Sequence, residues 1–281
     1  MYKKTQILII ALVCVSFYAN AKGENGFTDD KHAPSLLSDY SNAPVIKRIS
    51  DSIYNLISLG SYGLEREVFF TAYKGYQYLL SKGSLAKTNL LTICDYSQSS
   101  NNKRLYVVDL VNSRLLYNTY VSHGRNSGGE YATSFSNLHS SNKSSLGFLV
   151  TADTYSGKAG FSMRFKGVEP GINDQVRNRD IVLHGSRFVN EGIMNLRGTI
   201  GKSLGCPAVP AEYHKKIIDV IKGGSCYYAH YPDSWYMHTS RILNSSFDLA
   251  PAALNNVAVQ TAGEPSTDNN KAEVSASSAV N

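Results

Sequence analysis

A single cysteine occupies an unusual position in the stretch KSLGCPAVP. Cys206 directly follows Gly205 and directly precedes Pro207, a setting typical of a turn and not of a core strand. A thiolate in such an accessible place is a nucleophile, and its natural reaction is attack on a carbonyl carbon to give a thioester. The stretch therefore predicts acyl transfer, provided that a base and an oxyanion site lie nearby.

The candidate base is a histidine at the end of an apolar run. In DIVLHGSRF, His184 precedes Gly185. A strand, an excursion over residues 191–201 and a turn would return the chain to Cys206. We expect His184 to accept the thiol proton, with the Gly185 carbonyl or a nearby side chain orienting the imidazole.

The turn itself supplies the remaining groups. Gly205 permits a tight backbone, so the N–H groups of the SLGC turn are predicted to face a developing oxyanion. Ser203 adds a hydroxyl donor. Other cysteine chemistries fit less well, because a papain-type signature, a CxxC motif and closely spaced Cys or His pairs are missing from the sequence. A zinc site is therefore possible but a poor fit to these residues.

Cysteine usage and the N-terminus indicate the compartment. Lys3 and Lys4, the short apolar run 7–15 and the Ala19-Asn20-Ala21 triplet predict a cleaved signal peptide over residues 1–21. An uncleaved anchor is the alternative. We therefore expect a periplasmic or cell-envelope protein with no stable membrane anchor after cleavage.

Three cysteines follow the signal peptide, an odd number for an oxidising compartment. At least one of them must be free or bonded to another chain. Cys94 and Cys226 lie in apolar, strand-like surroundings and are predicted to be buried thiols or one mutual disulfide. Cys206 is predicted to be the reduced one.

The charge is spread along the chain. The 28 Lys and Arg exceed the 22 Asp and Glu and give a net charge of +6, without clusters. Nucleic acid is therefore not an expected partner, whereas a polyanionic envelope or wall is. The oligomeric state is left open. Nineteen tyrosines and frequent Gly and Ser favour β structure.

Periodicity divides the chain into four parts. Residues 45–59 and 64–80 have apolar helical faces, within a helical segment assigned to 22–89. Strands are expected over 105–110, 115–121, 146–151, 161–165, 180–184 and 225–231, with a helix opened by Pro210, within a domain assigned to 90–240. Residues 241–281 are expected to be a disordered tail. The fold class is mainly β (α+β).

The combination of HG and SLGCPAVP resembles the signature of the L,D-transpeptidase catalytic domain, the YkuD-like group. RLYVVDL, VSHGRNSG, SSLGF and GVEPGINDQVRNRDIVLHG are also similar to segments of its murein L,D-transpeptidase members. The sequence departs from the wider group at Leu204, where many members have histidine, and at 207–209, which follow the cysteine.

The resemblance implies a β-rich catalytic domain that acts on peptidoglycan stem peptides. It also implies that the reaction needs no metal and no organic cofactor. Cys206 would attack the carbonyl of the third stem residue and release D-alanine, with His184 as base and Gly185 or Ser203 in support. A neighbouring stem amine would then give a 3–3 cross-link. Water as acceptor would instead give a carboxypeptidase or endopeptidase, and a wall-binding protein with an unused thiol is a third alternative.

The resemblance also favours a substrate-binding role for the second polar stretch, YVSHGRNSGG. His123, Arg125 and Ser127 would line the site, with Arg125 meeting a stem carboxylate. Lys202 and Gly205 would border the same cleft. A solvated glycine-rich loop is the alternative for this stretch.

Overall fold

One mixed β-sheet forms the centre of the protein in a computed structural model, which describes residues 42–249. Its strands are β1 (Leu90–Asp95), β2 (Leu105–Asp109), β3 (Arg114–Thr119), β4 (Gly147–Gly157), β5 (Gly160–Gly167), β6 (Val182–Ser186), β7 (Ala208–Pro210) and β8 (Cys226–His230). They lie in the order β3-β2-β1-β8-β4-β5-β6-β7. The predicted mainly β fold, preceded in sequence by a helical segment, is confirmed.

The middle of the sheet is its most buried part. Every residue of β1 and of β8 is buried, and these two strands run parallel to each other. Strands buried on both faces carry continuous apolar runs, as LLTICD and CYYAH do. Helices must therefore cover this part of the sheet.

Six α-helices accompany the sheet within residues 42–249. They are α1 (Ala43–Ile57), α2 (Arg66–Ser81), α3 (Glu191–Arg197), α4 (His214–Ile221), α5 (Ser234–Thr239) and α6 (Arg241–Asn244), with a 3₁₀ turn at Leu59–Tyr62. The predicted apolar face of the first helix is buried through Ile46, Ile49 and Ile53. This face belongs to the same hydrophobic core as sheet residues such as Phe148. The first helix packs against the second, and the second packs on β1 and β8.

Two boundaries differ from the sequence-based prediction. Residues 208–210 form β7, because Ala208 and Val209 pair in parallel with His184 and Gly185, and the helix starts only at His214. Pairing with a distant strand here prevails over the local tendency of Pro210 to begin a helix. Residues 241–244, assigned to the tail, form α6 and bury Ile242 and Leu243.

A short seam closes the sheet between its two outer strands. The chain that follows β3 runs parallel to the chain that precedes β7, with Gly124 opposite Ser203. Backbone bonds join the two: Ser203 N to His123 O (2.9 Å), Arg125 N to Ser203 O (2.8 Å) and Ser122 N to Ala208 O (2.8 Å). This seam of residues 122–125 and 203–208 brings the YVSHGRNSGG and SLGC stretches together.

The predicted signal peptide and most of the predicted tail lie outside the described residues, and the four-part division of the chain stays a prediction. Within 42–249, the structure has no helix with the length and hydrophobicity that a bilayer crossing requires.

Candidate active site

Cys206 lies half-buried in the turn that leads into β7. Its Sγ donates to the Asp180 carbonyl oxygen at 3.4 Å and accepts from the Val182 backbone N–H at 3.4 Å. Asp180 adopts a left-handed backbone (φ 52°), which turns its carbonyl towards the sulfur. The start of β6 thus contacts the thiol directly.

The groups around the sulfur have opposite effects on the pKa of the Cys206 thiol. Burial raises the pKa of the Cys206 thiol, and the negative charge of Asp180 acts in the same direction. The Val182 N–H and the positive charge of Arg179 act against both and lower it. The net pKa is above the usual value, so the thiol holds its proton at neutral pH in the free protein.

His184 lies on β6, next to the strand that follows the cysteine. It is opposite Ala208 in the parallel pair, and its backbone N–H donates to Pro207 O at 3.4 Å. Its Nδ1 is 3.0 Å from Gly185 O. Since a carbonyl only accepts, Nδ1 carries the hydrogen and Nε2 keeps a lone pair.

The thiol and the imidazole are not hydrogen-bonded to each other in the part of the chain that the structure describes. The sulfur donates to Asp180 O, and the imidazole donates to Gly185 O. Proton transfer between them therefore requires a rotation of the Cys206 side chain. Catalytic hydrogen bonds are often formed only once substrate is bound.

Gly185 makes room for a further histidine. A Cβ at this position would lie 2.6 Å from Cγ of His214, the first residue of α4. The His214 Nδ1 donates to Ala211 O at 2.6 Å. Gly185 thus lets α4 approach β6 beside His184, in addition to offering its carbonyl.

Ser203 shapes the nucleophile turn from within. Its Oγ donates to the Cys206 carbonyl at 2.6 Å and accepts from the Gly205 N–H at 3.1 Å. The hydroxyl is therefore engaged, and so is the Gly205 N–H. Among residues 42–249, the backbone N–H groups of Leu204 and Cys206 have no hydrogen-bond acceptor.

Gly205 needs its missing side chain. Its backbone has φ 123°, and a Cβ there would lie 2.8 Å from the Lys143 carbonyl oxygen. The Lys143 carbonyl belongs to a second polar loop, residues 136–145, which therefore packs directly against the turn. The position of this loop fixes one side of the Cys206 turn.

Arg179 holds the 136–145 loop in place. Its Nη2 donates to Lys143 O at 2.7 Å and to Ser141 Oγ at 3.2 Å. Its Nη1 donates to Ser145 Oγ at 2.8 Å and also to the Ser136 carbonyl. Burial lowers the pKa of the guanidinium, while the charge of a Cys206 thiolate raises it.

His123 is buried and engaged with other protein groups. Its Nδ1 accepts from Arg104 Nη2 at 2.8 Å, and its Nε2 is 3.1 Å from Gly129 O. Burial first, and then the charges of Arg104 and Lys202, lower the pKa of the imidazole to about 4. His123 is thus a neutral part of the scaffold, and no face of it is open to substrate.

Arg104 is fully buried beneath the loop of residues 122–129. It donates to Val121 O through Nε (3.2 Å) and Nη2 (3.0 Å), and to Gln98 O through Nη1 (2.7 Å). Its guanidinium also lies over the Tyr96 ring at 5.2 Å. These contacts hold the loop that forms one side of the seam.

The other predicted binding residues divide into buried and exposed ones. Ser127 is buried, and its Oγ accepts from Ser144 N at 2.8 Å. Arg125 and Lys202 are exposed on either side of the seam. These two cations are thus free to meet an anion, whereas His123 and Ser127 hold the loops.

A cleft of the described residues does not include the sulfur. It has a volume of about 590 Å³ and opens between β3 and the end of β7, lined by Tyr117, Tyr120, Glu191, Pro210 and Tyr213 among others. Cys206 does not line it. The chemistry of the turn, and not the size of this cleft, marks the candidate site.

The two remaining cysteines of the described part are free and fully buried. Burial raises the pKa of Cys94 to about 11 and raises that of Cys226 further. Neither forms a disulfide, and residues 42–249 contain no group of three or more His, Cys, Asp and Glu that could hold a metal. Of the three thiols, Cys206 alone is only partly buried.

The sequence analysis missed Arg104, Arg179 and Asp180. The signal for the last two was their place directly before the apolar strand that bears His184. Nothing in the local sequence marks Arg104, because its partners come from the loops around residues 98 and 121–123.

A family model described as L,D-transpeptidase catalytic domain matches residues 61–230, more than half of the chain. The match starts within the segment assigned as helical, consistent with the packing of α2 on the sheet. A comparison with the curated proteins gives no match.

Three solved structures illustrate the structural similarities. An L,D-transpeptidase from Mycobacterium smegmatis is 10% identical, with 51% of this chain and 59% of that chain covered and a TM-score of 0.32. The helical cell shape determining protein Pgp2 from Campylobacter jejuni is 14% identical, with 56% and 55% covered and a TM-score of 0.34. The L,D-transpeptidase from Xylanimonas cellulosilytica is 13% identical, with 68% and 95% covered and a TM-score of 0.30. The chain spans less than two thirds of the first two proteins.

Proposed function

The chain belongs to the L,D-transpeptidase catalytic domain family, and on that premise we propose that it is an exported enzyme that forms 3–3 cross-links in peptidoglycan. The observation that carries the proposal is the environment of Cys206. A half-buried thiol lies in a glycine turn, beside the strand of a histidine whose Nε2 keeps a lone pair.

The reaction is an exchange of one amide bond for another. The Cys206 sulfur attacks the carbonyl carbon of the third stem residue while its proton passes to His184. The tetrahedral intermediate then breaks its bond to the terminal D-alanine, which leaves as an amine after taking the proton. A side-chain amine of a second stem attacks the thioester, forms the cross-link and returns the thiol.

His184 is proposed as the base because the thiol needs one. The pKa of Cys206 is raised by burial, so the nucleophile is protonated until substrate binds. Once the thiol is released from Asp180 O, the lone pair on Nε2 of His184 is the acceptor that we propose for its proton. The bond from Nδ1 to Gly185 O fixes the tautomer that makes this possible.

The backbone N–H of Cys206, with that of Leu204, is proposed as the oxyanion donor. The turn holds these groups rigidly, because Ser203 Oγ bonds to both Gly205 N and Cys206 O. Donors fixed before the reaction stabilise a developing charge without reorganisation. The role of Ser203 is then to shape the turn, and Arg125 and Lys202 would meet stem carboxylates at its two sides.

Incubation of the purified protein with disaccharide-tetrapeptide, followed by mass spectrometry, tests the proposal. We expect a dimer with loss of one D-alanine. Release of D-alanine without a dimer would identify water as the acceptor and replace the transferase by a carboxypeptidase. The absence of both products from folded protein would overturn the proposal.

Variants connect the products to the site. Cys206→Ala should abolish turnover, and His184→Ala should slow it by about 10²–10⁴-fold, the usual contribution of a general base. His238→Ala removes an exposed histidine on α5 and is the matched control, with unchanged turnover expected. Equal rates for the two histidine variants would remove His184 from the mechanism.

A further inference from the structure

The segment before β6 brings one cation towards the nucleophile. Arg179 directly precedes Asp180, whose carbonyl oxygen accepts the Cys206 thiol. The remaining charged side chain that acts on the sulfur is the Asp180 carboxylate, while His184 lies on the adjoining strand. The positive charge of Arg179 lowers the pKa of the thiol, whereas the negative charge of Asp180 raises it.

The same guanidinium determines where the turn lies. Arg179 donates to the carbonyl of Lys143, and Gly205 packs on that carbonyl. Four donor contacts to Ser136, Ser141, Lys143 and Ser145 leave the guanidinium little freedom to move. A displacement of this side chain would release the surface on which the Cys206 turn rests.

No carboxylate neutralises Arg179 within the described chain, where all its hydrogen-bond acceptors are carbonyl and hydroxyl oxygens. The exposed Arg177, two positions earlier, is instead paired with Asp153 at 2.6 Å. The positive charge of an arginine that is bonded only to neutral acceptors is not offset by a carboxylate, so it stabilises a nearby anion. At this place the anion that can form is the thiolate.

We propose that Arg179 is a positioning residue for Cys206, which fixes the 136–145 loop beneath the turn and supplies the positive charge that favours the thiolate. The inference rests on the proposed role of Cys206 as nucleophile. It adds a second function to a side chain whose visible bonds are those of a loop anchor.

The test measures the pH dependence of Cys206 alkylation by iodoacetamide, read by peptide mass spectrometry. Arg179→Gln keeps donors to the loop and removes the charge. We expect its alkylation midpoint to move upwards by about one pH unit, which is about a tenfold lower rate near pH 7. Arg179→Lys should restore the midpoint in part, and Arg177→Gln should leave it unchanged.

A measurement on the unmodified protein keeps the proposal testable even if the variants fold poorly. A local positive charge increases the rate at which the thiolate reacts with anionic iodoacetate, relative to its rate with neutral iodoacetamide. Added salt screens this preference. We expect the ratio of the two rates to exceed that of free cysteine and to fall with KCl. A ratio equal to that of free cysteine at every salt concentration, or a folded Arg179→Gln with the wild-type midpoint, would overturn the proposal.

Alkylation reports on the thiol and needs no stem peptide. Shifted midpoints in a protein without turnover on tetrapeptide would therefore support this inference and contradict the proposed function. Turnover on tetrapeptide combined with an unshifted alkylation midpoint in Arg179→Gln would support the proposed function and contradict this inference.

Discussion

Two arginines hold the two loops beside Cys206, but their surroundings differ. Arg104 is fully buried under the 122–129 loop and donates to carbonyls and to His123. Arg179 is half-buried and anchors the 136–145 loop, and its positive charge lowers the pKa of the Cys206 thiol. Both are loop anchors by their bonds, and each acts electrostatically on a thiol: Arg104 on the fully buried Cys94, and Arg179 on the partly exposed Cys206.

The difference shows how to distinguish scaffold from chemistry in a polar site. The hydrogen bonds of the two guanidinium groups are alike in number and kind. What separates them is the accessibility of the thiol that each one acts on, because Cys94 near Arg104 is fully buried and Cys206 near Arg179 is partly exposed. Arg104 is therefore expected to contribute mainly to stability, and Arg179 mainly to reactivity.

The largest expected effect is on the buried member of the pair. Arg104→Met leaves the Val121 and Gln98 carbonyls and the His123 Nδ1 without a donor. Each buried group left unsatisfied costs about 1–3 kcal/mol, so a loss of at least about 3 kcal/mol in the free energy of unfolding is expected. Urea denaturation measures it, with Arg179→Met for comparison. An equal or larger loss of unfolding free energy in Arg179→Met would contradict the view that Arg104 contributes mainly to stability and Arg179 mainly to reactivity.

The His123 imidazole gives the next effect, through pH. Its pKa is about 4 in the folded protein and about 6.5 when unfolded. Between these values the unfolded chain binds a proton that the folded one does not, so stability falls as the pH falls. The loss is about 3 kcal/mol when complete, at about 1.4 kcal/mol per pH unit.

Denaturation curves from pH 7 to pH 4 check this dependence, together with an NMR titration of the His123 ring. His123→Gln keeps an acceptor for Arg104 and removes the proton site, and it should flatten the dependence in this window. A variant with an undiminished pH dependence would show that other groups cause it.

Gly205→Ala tests whether the 136–145 loop supports the turn. The new Cβ would face the Lys143 carbonyl in a left-handed backbone, which costs about 1–3 kcal/mol. Cys206 alkylation should change with it, because the turn must move. Gly129→Ala is the matched control, since a Cβ there meets nothing within 4 Å, and both properties should be preserved. If Gly205→Ala changes neither stability nor Cys206 alkylation, then the 136–145 loop does not support the turn, and neither does Arg179 through that loop.

Arg125→Ala should have the smallest effect on stability. The side chain is exposed, and its backbone N–H bond to Ser203 O survives the change. The free energy of unfolding should stay within about 0.5 kcal/mol. If Arg125 binds a stem carboxylate, KM should rise while kcat is preserved. Unchanged KM and kcat would indicate that the loop bearing Arg125 is a solvated loop without a role in substrate binding.

The sequence predicted the elements better than the site. The apolar periods of α1 and α2 and the alternation around VNSR specify their structures locally, because burial of one face follows from residue spacing. The strand β7 could not be predicted in this way, since only its pairing with His184 and Gly185 makes it a strand.

The site was predictable where chemistry is carried by a single residue type. The sequence context identified Cys206 and His184 as candidates, and the structure places them on adjoining segments. It could not show that His123 and Ser127 are buried supports, because their partners Arg104 and Ser144 come from elsewhere in the chain. A polar loop has the same composition whether its side chains face solvent or one another.

The seam has a consequence for the order in which the protein folds. It joins Gly124 to Ser203, roughly 80 positions apart. Such distant pairing forms late, because the entropy cost of closing a long loop must be met before the contacts can stabilise it. The β4–β5 hairpin and the β1–β2 pair are local by comparison. The turn of Cys206 therefore takes its final shape after these local pairs, as the still more distant pairing of β1 with β8 also does, and the nucleophile is not assembled in chains that have formed only the hairpins.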